Sequence, residues 1–289
     1  MREVTYLPRV RGRGYFKLIS GVITLLLVAA ALDSLVLEPC AIFLSTTTLS
    51  VTDPRMPSSK SIKLLHLTDL HISTYGFREM RVIQLVKSLR PDVIVMTGDY
   101  VSSKEGLLGL REFLSNLRSV VGATPIVSIL GNWDYWSSVP DEVIRLLKEY
   151  GVYVLNDSYM ILSIGDVKVT FVGFNSFTGT YTLPNFTVLK EVPSRYPIVV
   201  LLHEPALSKY VIKYRGDVTL ILAGHCHGGQ VKLFGEALFL PEGCEGCHEG
   251  ACKVGNTVMY VSRGIGTSIL PVRFTSPPEI VIAYLTSPK

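Results

Sequence analysis

The sequence predicts an α/β fold with two packed sheets, set behind one N-terminal helix of membrane-spanning length. Three observations lead there. Between residues 62 and 150, apolar runs of strand length alternate with segments of helical period, the pattern of a largely parallel sheet covered by helices. From Val152 onward, short strands follow one another with hairpin signals between them, enough for a second sheet packed on the first. Ahead of both lies a long apolar run with almost no charge.

The chain begins with a basic arm, residues 1–17, where Arg2, Arg9, Arg11, Arg13 and Lys17 stand against Glu3. This arm accounts for the whole formal net charge of +4, and the rest of the chain balances. That is no nucleic-acid footprint, and no nucleic-acid partner is implied. Residues 18–37 follow, with Asp33 their only charge, long enough for one span of roughly 20 residues. Basic residues before the span favour a cytoplasmic N-terminus, hence a single-pass protein of the cell membrane with its main domain extracytoplasmic. Ala29-Ala30-Ala31 keeps a cleavable signal segment open. A core helix fits less well, because the run is apolar around its whole circumference. Residues 38–60, rich in Ser, Thr and Pro, read as a linker with one strand-like run from Ala41 to Val51; residues 61–289 form the main domain.

Within that domain Ile62–Thr68 is the first strand and ends in Asp69-Leu70-His71. Val82, Leu85, Val86 and Leu89 share one helix face until Pro91 stops it. Asp92–Thr97 is the next strand, ending in Gly98-Asp99, and a helix with Leu107, Leu110, Leu114 and Leu117 on one side follows. Ile126–Leu130 runs into Gly131-Asn132-Trp133-Asp134, and Pro140 opens a helix that buries Val143, Leu146, Leu147 and Tyr150. Val152–Leu155, Met160–Ile164 and Val167–Phe174 are short strands. Ile198–Leu202 leads into His203-Glu204-Pro205, and Val218–Ala223 into Gly224-His225-Cys226-His227-Gly228-Gly229-Gln230. Val231–Phe234, Thr257–Ser262 and Glu279–Leu285 complete the strands.

Five apolar strands therefore each end in a loop with metal-ligand side chains: Asp69 and His71, Asp99, Asn132, His203, and His225 with His227. Each alone has an ordinary explanation: Asp99 as a helix cap, His203 as a hydrogen-bonded core histidine, Asn132 in a turn. Together they lie beyond the carboxyl ends of strands, where open α/β sheets bind ligands. The ordered set Asp-x-His, Gly-Asp, Gly-Asn-x-Asp, His and Gly-His-x-His resembles the calcineurin-like metallophosphoesterase superfamily over residues 60–286. His203-Glu204-Pro205, Gly228-Gly229-Gln230 and Ser262-Arg263-Gly264-Ile265-Gly266 are similar to its membrane-anchored prokaryotic branch.

The resemblance implies a four-layer α/β/β/α sandwich of two mixed sheets and a hydrolase with a binuclear metal centre at one edge. It implies Asp69, His71, Asp99 and His227 around one divalent ion, with Asp99 shared by a second ion that Asn132, His203 and His225 complete. Such mixed ligands suit Mn, Fe, Zn, Co or Ni without choosing among them. Asp99, Asn132, Trp133 and His225 are the residues expected to contribute to catalysis.

Trp133 departs from the pattern. The family usually has Gly-Asn-His-Asp or Gly-Asn-His-Glu, and that histidine helps protonate the leaving group. An indole N–H donates a hydrogen bond but delivers no proton, and general acid help is worth about 10²–10⁴-fold. The carboxylate that supports the histidine in related protein phosphatases is absent too, with Ser102 in its place. The expectation is cleavage of phosphodiester or pyrophosphate bonds with a good leaving group, on a lipid-linked substrate such as a nucleotide-lipid. Membrane-linked UDP-diacylglucosamine pyrophosphatases of the superfamily include members with arginine in this slot. Two alternatives stay open: a phosphomonoesterase with His66 or His248 as proton donor, and a weakly catalytic phospholipid-binding protein with an intact metal site. Trp133, Tyr135 and Trp136 either stack a nucleobase or meet lipid, or they brace the loop by packing. Arg263 and Arg273 are candidates for a substrate phosphate, a surface role being open for Arg273.

Cys244, Cys247, His248 and Cys252 form a cluster with three readings. A disulfide staple suits an extracytoplasmic domain. A small zinc or iron–sulfur site would use Cys244, Cys247 and Cys252 with His248. Cys-x-x-Cys-His is also a haem attachment pattern, with no axial partner evident. Cys226 reads as a small filler between two ligands, and Cys40 lies beside the span. Asn156-Asp157-Ser158 and Asn185-Phe186-Thr187 match glycosylation acceptors, which would mark an external location if occupied.

Overall fold

The computed structural model describes residues 12–40 and 45–288. Arg2, Arg9 and Arg11 of the basic arm, and the start of the strand-like run at Ala41, lie outside the described residues. Helix α1 (Gly12–Leu32) continues through a π-helical turn at Asp33–Leu37. Tyr15–Leu37 makes 23 residues long and apolar enough to cross a membrane, and the span is not buried against the rest of the chain. Its end is tied to the domain: the Arg273 backbone N–H donates to the Ser34 carbonyl (2.9 Å), and the Ser276 N–H donates to the Glu38 carboxylate (3.2 Å).

Strand β1 (Ser45–Thr52) lies inside the stretch read as a linker. It pairs parallel with the last strand and forms a sheet edge, so its alternating exposed Ser and Thr side chains belong to the fold. In order there follow β2 (Ser61–Leu67), α2 (Phe77–Leu89), β3 (Val93–Thr97), α3 (Gly106–Val121), β4 (Ile126–Ile129), α4 (Asn132–Trp136), α5 (Pro140–Glu149) and β5 (Val152–Val154). The second half holds β6 (Ser158–Ile164), β7 (Val167–Gly173), α6 (Phe177–Thr180), β8 (Ile198–Leu201), α7 (Ser208–Tyr214) and β9 (Leu220–Ala223). A small hairpin of β10 (Lys232–Leu233) and β11 (Glu236–Ala237) precedes β12 (Gly250–Val254), β13 (Thr257–Val261) and β14 (Glu279–Thr286). The sequence reading missed β12 and α7, both short and weakly periodic.

The strands form two six-stranded mixed sheets, ordered β1-β14-β2-β3-β4-β5 and β12-β13-β9-β8-β7-β6. The alternating faces of β2 show how they stack. Leu65 and Leu67 pack towards α2 and α3, with Val82, Val86, Leu110 and Leu114. Ile62 and Leu64 face the other sheet, meeting a layer that includes Phe171, Val199, Leu201 and Leu222. The outer face of the second sheet is covered by Val188, Leu189 and Val211. Four layers result, α/β/β/α, with the central strands β3, β4, β8 and β9 buried on both faces. The parallel strands β2, β3 and β4 of one sheet and β8 and β9 of the other deliver their carboxyl ends to a common edge.

Candidate metal centre

All seven ligand-type residues collect at that edge, and all seven are buried. Two groups form. Donor atoms of Asp69, His71 and His227 lie within 4.8 Å of one another, as do those of Asp99, His203 and His225. The Asn132 side-chain oxygen joins the second group, 2.8 Å from His203 Nε2 and 2.9 Å from His225 Nδ1. Asp99 Oδ2 stands between the groups, 3.4 Å from His71 Nε2 and 3.3 Å from His203 Nε2.

The loops reach this geometry through unusual backbone. Asp69, His71, Asp99, His225 and His227 all have positive φ, a conformation few non-glycine residues adopt and one that clusters at functional sites. Gly98 and Gly131 let two loops interlock: φ at Gly98 is +93°, and a Cβ there would lie 2.1 Å from the Gly131 nitrogen. Asp134 then clamps both loops, its carboxylate accepting from the backbone N–H groups of Gly131, Asp99 and Tyr100 at 2.9–3.0 Å. Burial pushes the Asp134 pKa up to about 7.

The outer hydrogen bonds fix which nitrogen of each histidine faces inward. His203 Nδ1 donates to the Thr97 carbonyl (2.7 Å), leaving Nε2 for the site. His225 Nε2 donates to the Glu242 carbonyl (2.8 Å), leaving Nδ1. His71 Nδ1 meets the Ser102 hydroxyl (3.0 Å), and its Nε2 faces His227 Nε2 at 3.1 Å, where one proton or one cation must separate two lone pairs. Arg273 Nη2 donates to the outer nitrogen of His227 (3.1 Å).

Electrostatics point the same way. Burial pushes His71 down to about 4 and holds His225 and His227 below the usual histidine range, so these imidazoles are neutral. His227, accepting from Arg273 at Nδ1, then carries its proton on Nε2 and donates it to His71. Burial, with the charge of Asp99 adding to it, lifts Asp69 to about 7. Burial works to lower His203, but the facing Asp99 carboxylate raises it well above its ordinary value. Among the described residues neither Asp69 nor Asp99 has a lysine or arginine partner within salt-bridge distance. Buried carboxylates need a counter-charge, and inward-facing imidazole, carboxylate and amide donors are a chemically suitable set for divalent metals.

An apolar cavity of about 500 Å³ opens over Asp99, Asn132, His225 and His227. Trp133 forms one wall: its backbone N–H donates to Asp99 Oδ1 (2.7 Å), its indole N–H to Ser268 (3.1 Å), and its ring meets His71 edge-on at 5.7 Å. Trp136 packs on it, and Leu238, Phe239, Ile269 and Leu270 continue the wall outward.

Several expectations need correction. Cys244, Cys247 and Cys252 form no metal or cluster site: Cys226 is bonded to Cys244 and Cys247 to Cys252. Cys226 is accordingly no filler but a staple between the two histidines of the candidate centre, His225 and His227, and the loop beyond them. Arg273 is fully buried, spent on the carbonyls of Gly266, Ser276 and Arg263 besides His227, so it neither lies at the surface nor awaits a phosphate. Arg263 is engaged by Glu279. His66 lies inside the sheet, bound to Thr97 and lowered to about 3 by burial, and neither it nor His248 lines the cavity. The sequence reading gave no role to Glu204, whose buried carboxylate accepts from Ser176 and Thr178 and holds the loop behind His203. Its place in His203-Glu204-Pro205 was the available signal.

The sequence model of the family described as calcineurin-like phosphoesterase matches residues 62–229. An uncharacterized metallophosphoesterase of Aquifex aeolicus is 29% identical over 257 residues, covering 84% of this chain and 92% of its own. The uncharacterized metallophosphoesterase YkuE of Bacillus subtilis is 29% identical over 264 residues, covering 87% and 88%. The transmembrane protein with metallophosphoesterase domain of Bos taurus is 29% identical over 253 residues, covering 82% of this chain and 56% of its own.

Proposed function

Because the chain belongs to the calcineurin-like phosphoesterase family, a family of metal-dependent hydrolases, we propose that it cleaves phosphodiester or phosphoanhydride bonds whose leaving group departs without a proton. Asp69, His71, Asp99 and His227 would hold one divalent ion, and Asp99, Asn132, His203 and His225 the other. Such ions, when bound, polarise the phosphoryl oxygens and make water nucleophilic at neutral pH. The residues around them do the positioning. Thr97, Ser102 and Glu242 hold three imidazoles in orientation through their outer nitrogens. Water gives up a proton to solvent and its oxygen bonds to phosphorus as the bond to the leaving oxygen breaks, and that oxygen leaves as an anion.

The observation that carries this reading is Trp133. It occupies the position of the family's proton donor, its indole N–H is already given to Ser268, and it presents an apolar wall. Apart from the proposed ligands, the cavity lining holds one ionisable side chain, the exposed Glu242, whose backbone carbonyl is the part engaged with the site. A nucleotide, an aryl oxide or a phosphorylated lipid leaves readily under those conditions; a simple alkoxide does not. The apolar wall supports a substrate with a lipid part.

The membrane-spanning helix and a relative described as a transmembrane protein support a membrane-linked enzyme. The two disulfides favour an oxidising compartment, which with the basic arm supports an extracytoplasmic placement of the domain from Ser45 onward. The test is turnover of bis(p-nitrophenyl) phosphate against an alkyl phosphomonoester by the full chain with Mn²⁺. Diester cleavage that Asp99→Ala abolishes supports the proposal; no turnover of either substrate would favour a binding protein instead.

A further inference from the structure

Two loops border the cavity mouth, and both expose large apolar side chains to solvent. The run Leu233-Phe234-Gly235-Glu236-Ala237-Leu238-Phe239-Leu240 has one charge, and all five of its large apolar residues are exposed, Phe234 completely. Ile269 and Leu270 stand out from the second loop. Scattered exposed leucines need no explanation, but large exposed apolar residues concentrated on two loops that both line one cavity, through Leu238, Phe239, Ile269 and Leu270, mark an interaction surface.

The backbone makes the exposure more pointed. Phe234 and Gly235 form the two-residue turn between β10 and β11, with φ of +53° and +89°. That is the turn in which Asn-Gly is preferred. Ile269, a β-branched residue, also has positive φ, an uncommon and strained choice. Neither side chain is packed inside the domain to compensate.

The rim is joined to the end of the membrane-spanning helix. Arg273, three residues beyond Leu270, donates its backbone N–H to Ser34, in the last turn of the span. Phe274 then exchanges backbone hydrogen bonds with Gln230 and Lys232, at the base of the hairpin. Leu270 is thus within about 14 Å of the span's last turn, at no more than ~3.6 Å per residue, and the hairpin is bonded to the same segment. The Cys226–Cys244 disulfide ties the far end of the first loop to the centre.

We infer that the mouth of the cavity is a membrane-docking surface: Leu233, Phe234, Leu238, Phe239, Ile269 and Leu270 enter the lipid–water boundary, and an acyl-bearing phosphoester reaches the centre from the bilayer. The docking follows from the rim and its tie to the span; the substrate route rests additionally on the hydrolase reading. Apolar side chains on a surface of this kind reach about 5–10 Å into the headgroup and acyl boundary.

The only tryptophans, Trp133 and Trp136, line the cavity, so emission from the full chain in lipid vesicles reports on the mouth alone. Dibrominated phosphatidylcholine should roughly halve that emission relative to plain phosphatidylcholine, given insertion to the depth of such interfacial side chains. The informative variant is Phe234→Asn, which suits its turn and touches no part of the cavity wall. It should reduce quenching and slow cleavage of vesicle-embedded hexadecyl p-nitrophenyl phosphate several-fold, while soluble bis(p-nitrophenyl) phosphate is cleaved at the wild-type rate. Equal emission in the two lipids would overturn the inference, and with a dimer mass in detergent it would assign the rim to a second copy. Quenching without turnover of either diester would leave docking standing and overturn the hydrolase reading.

Discussion

At and beneath the floor of the cavity, Asp99 and Asn132, which line it, and Asp69 and His203, which do not, sit just beyond strand ends, almost wholly buried, each held by hydrogen bonds to backbone or side chains. At its rim, Phe234, Leu238 and Ile269 stand on loops with their side chains exposed. The floor uses two sheets to place polar donors that would be costly anywhere else in the interior. The rim gathers large exposed apolar side chains on two loops at one opening. The difference assigns separate tasks: the floor sets the reaction, and the rim sets what can approach it. Trp133 belongs to both, bonded to Asp99 through its backbone and forming the apolar wall with its ring.

Breaking the floor should have the largest effect. Asp99→Ala removes the carboxylate between the two donor groups and should lower diester turnover by more than about 10³-fold, with metal content by elemental analysis falling in parallel. Trp133→His exchanges wall for proton donor and should raise alkyl phosphomonoester turnover by about 10²-fold, leaving aryl diester turnover within a few-fold.

The link between floor and rim comes next. The Cys226→Ser, Cys244→Ser pair removes an 18-residue staple that begins between the two proposed ligands His225 and His227. It should lower metal affinity about 10–100-fold and stability by about 2–4 kcal/mol, read by titration with Mn²⁺ and by thermal melting. Unchanged metal affinity would show that the rim loop is held independently of the centre. The smallest effect belongs to the rim itself: Phe234→Asn should leave the melting temperature equal or higher, against a fall if Phe234 packs within the domain.

That these side chains collect at one edge was legible in the sequence because each candidate ligand follows an apolar strand directly, and such strands fix where their ends lie. The supporting contacts were not. Asp134, Glu204 and Arg273 act on backbone or side chains up to 46 residues away, and nothing local signals that a carboxylate or guanidinium will be consumed there. Cys226 and Cys244 are separated by 18 residues, so a cluster of three nearby cysteines drew attention from the true partner. The rim was read only as a strand at Val231–Phe234, since an apolar run gives the same periodicity whether it faces a core or a bilayer. The strand Ser45–Thr52 looked like linker because an edge strand with one solvated face is rich in Ser and Thr.

The most direct test of the central claim is the ratio of aryl diester to alkyl monoester turnover in wild type and Trp133→His, measured on full-length protein with Mn²⁺. A wild type that cleaves bis(p-nitrophenyl) phosphate but not the alkyl monoester, with the monoester becoming a substrate only in Trp133→His, is the predicted result. Strong alkyl monoester hydrolysis by the wild type would contradict it, because a proton would then be reaching the leaving group from a residue other than the one the family uses.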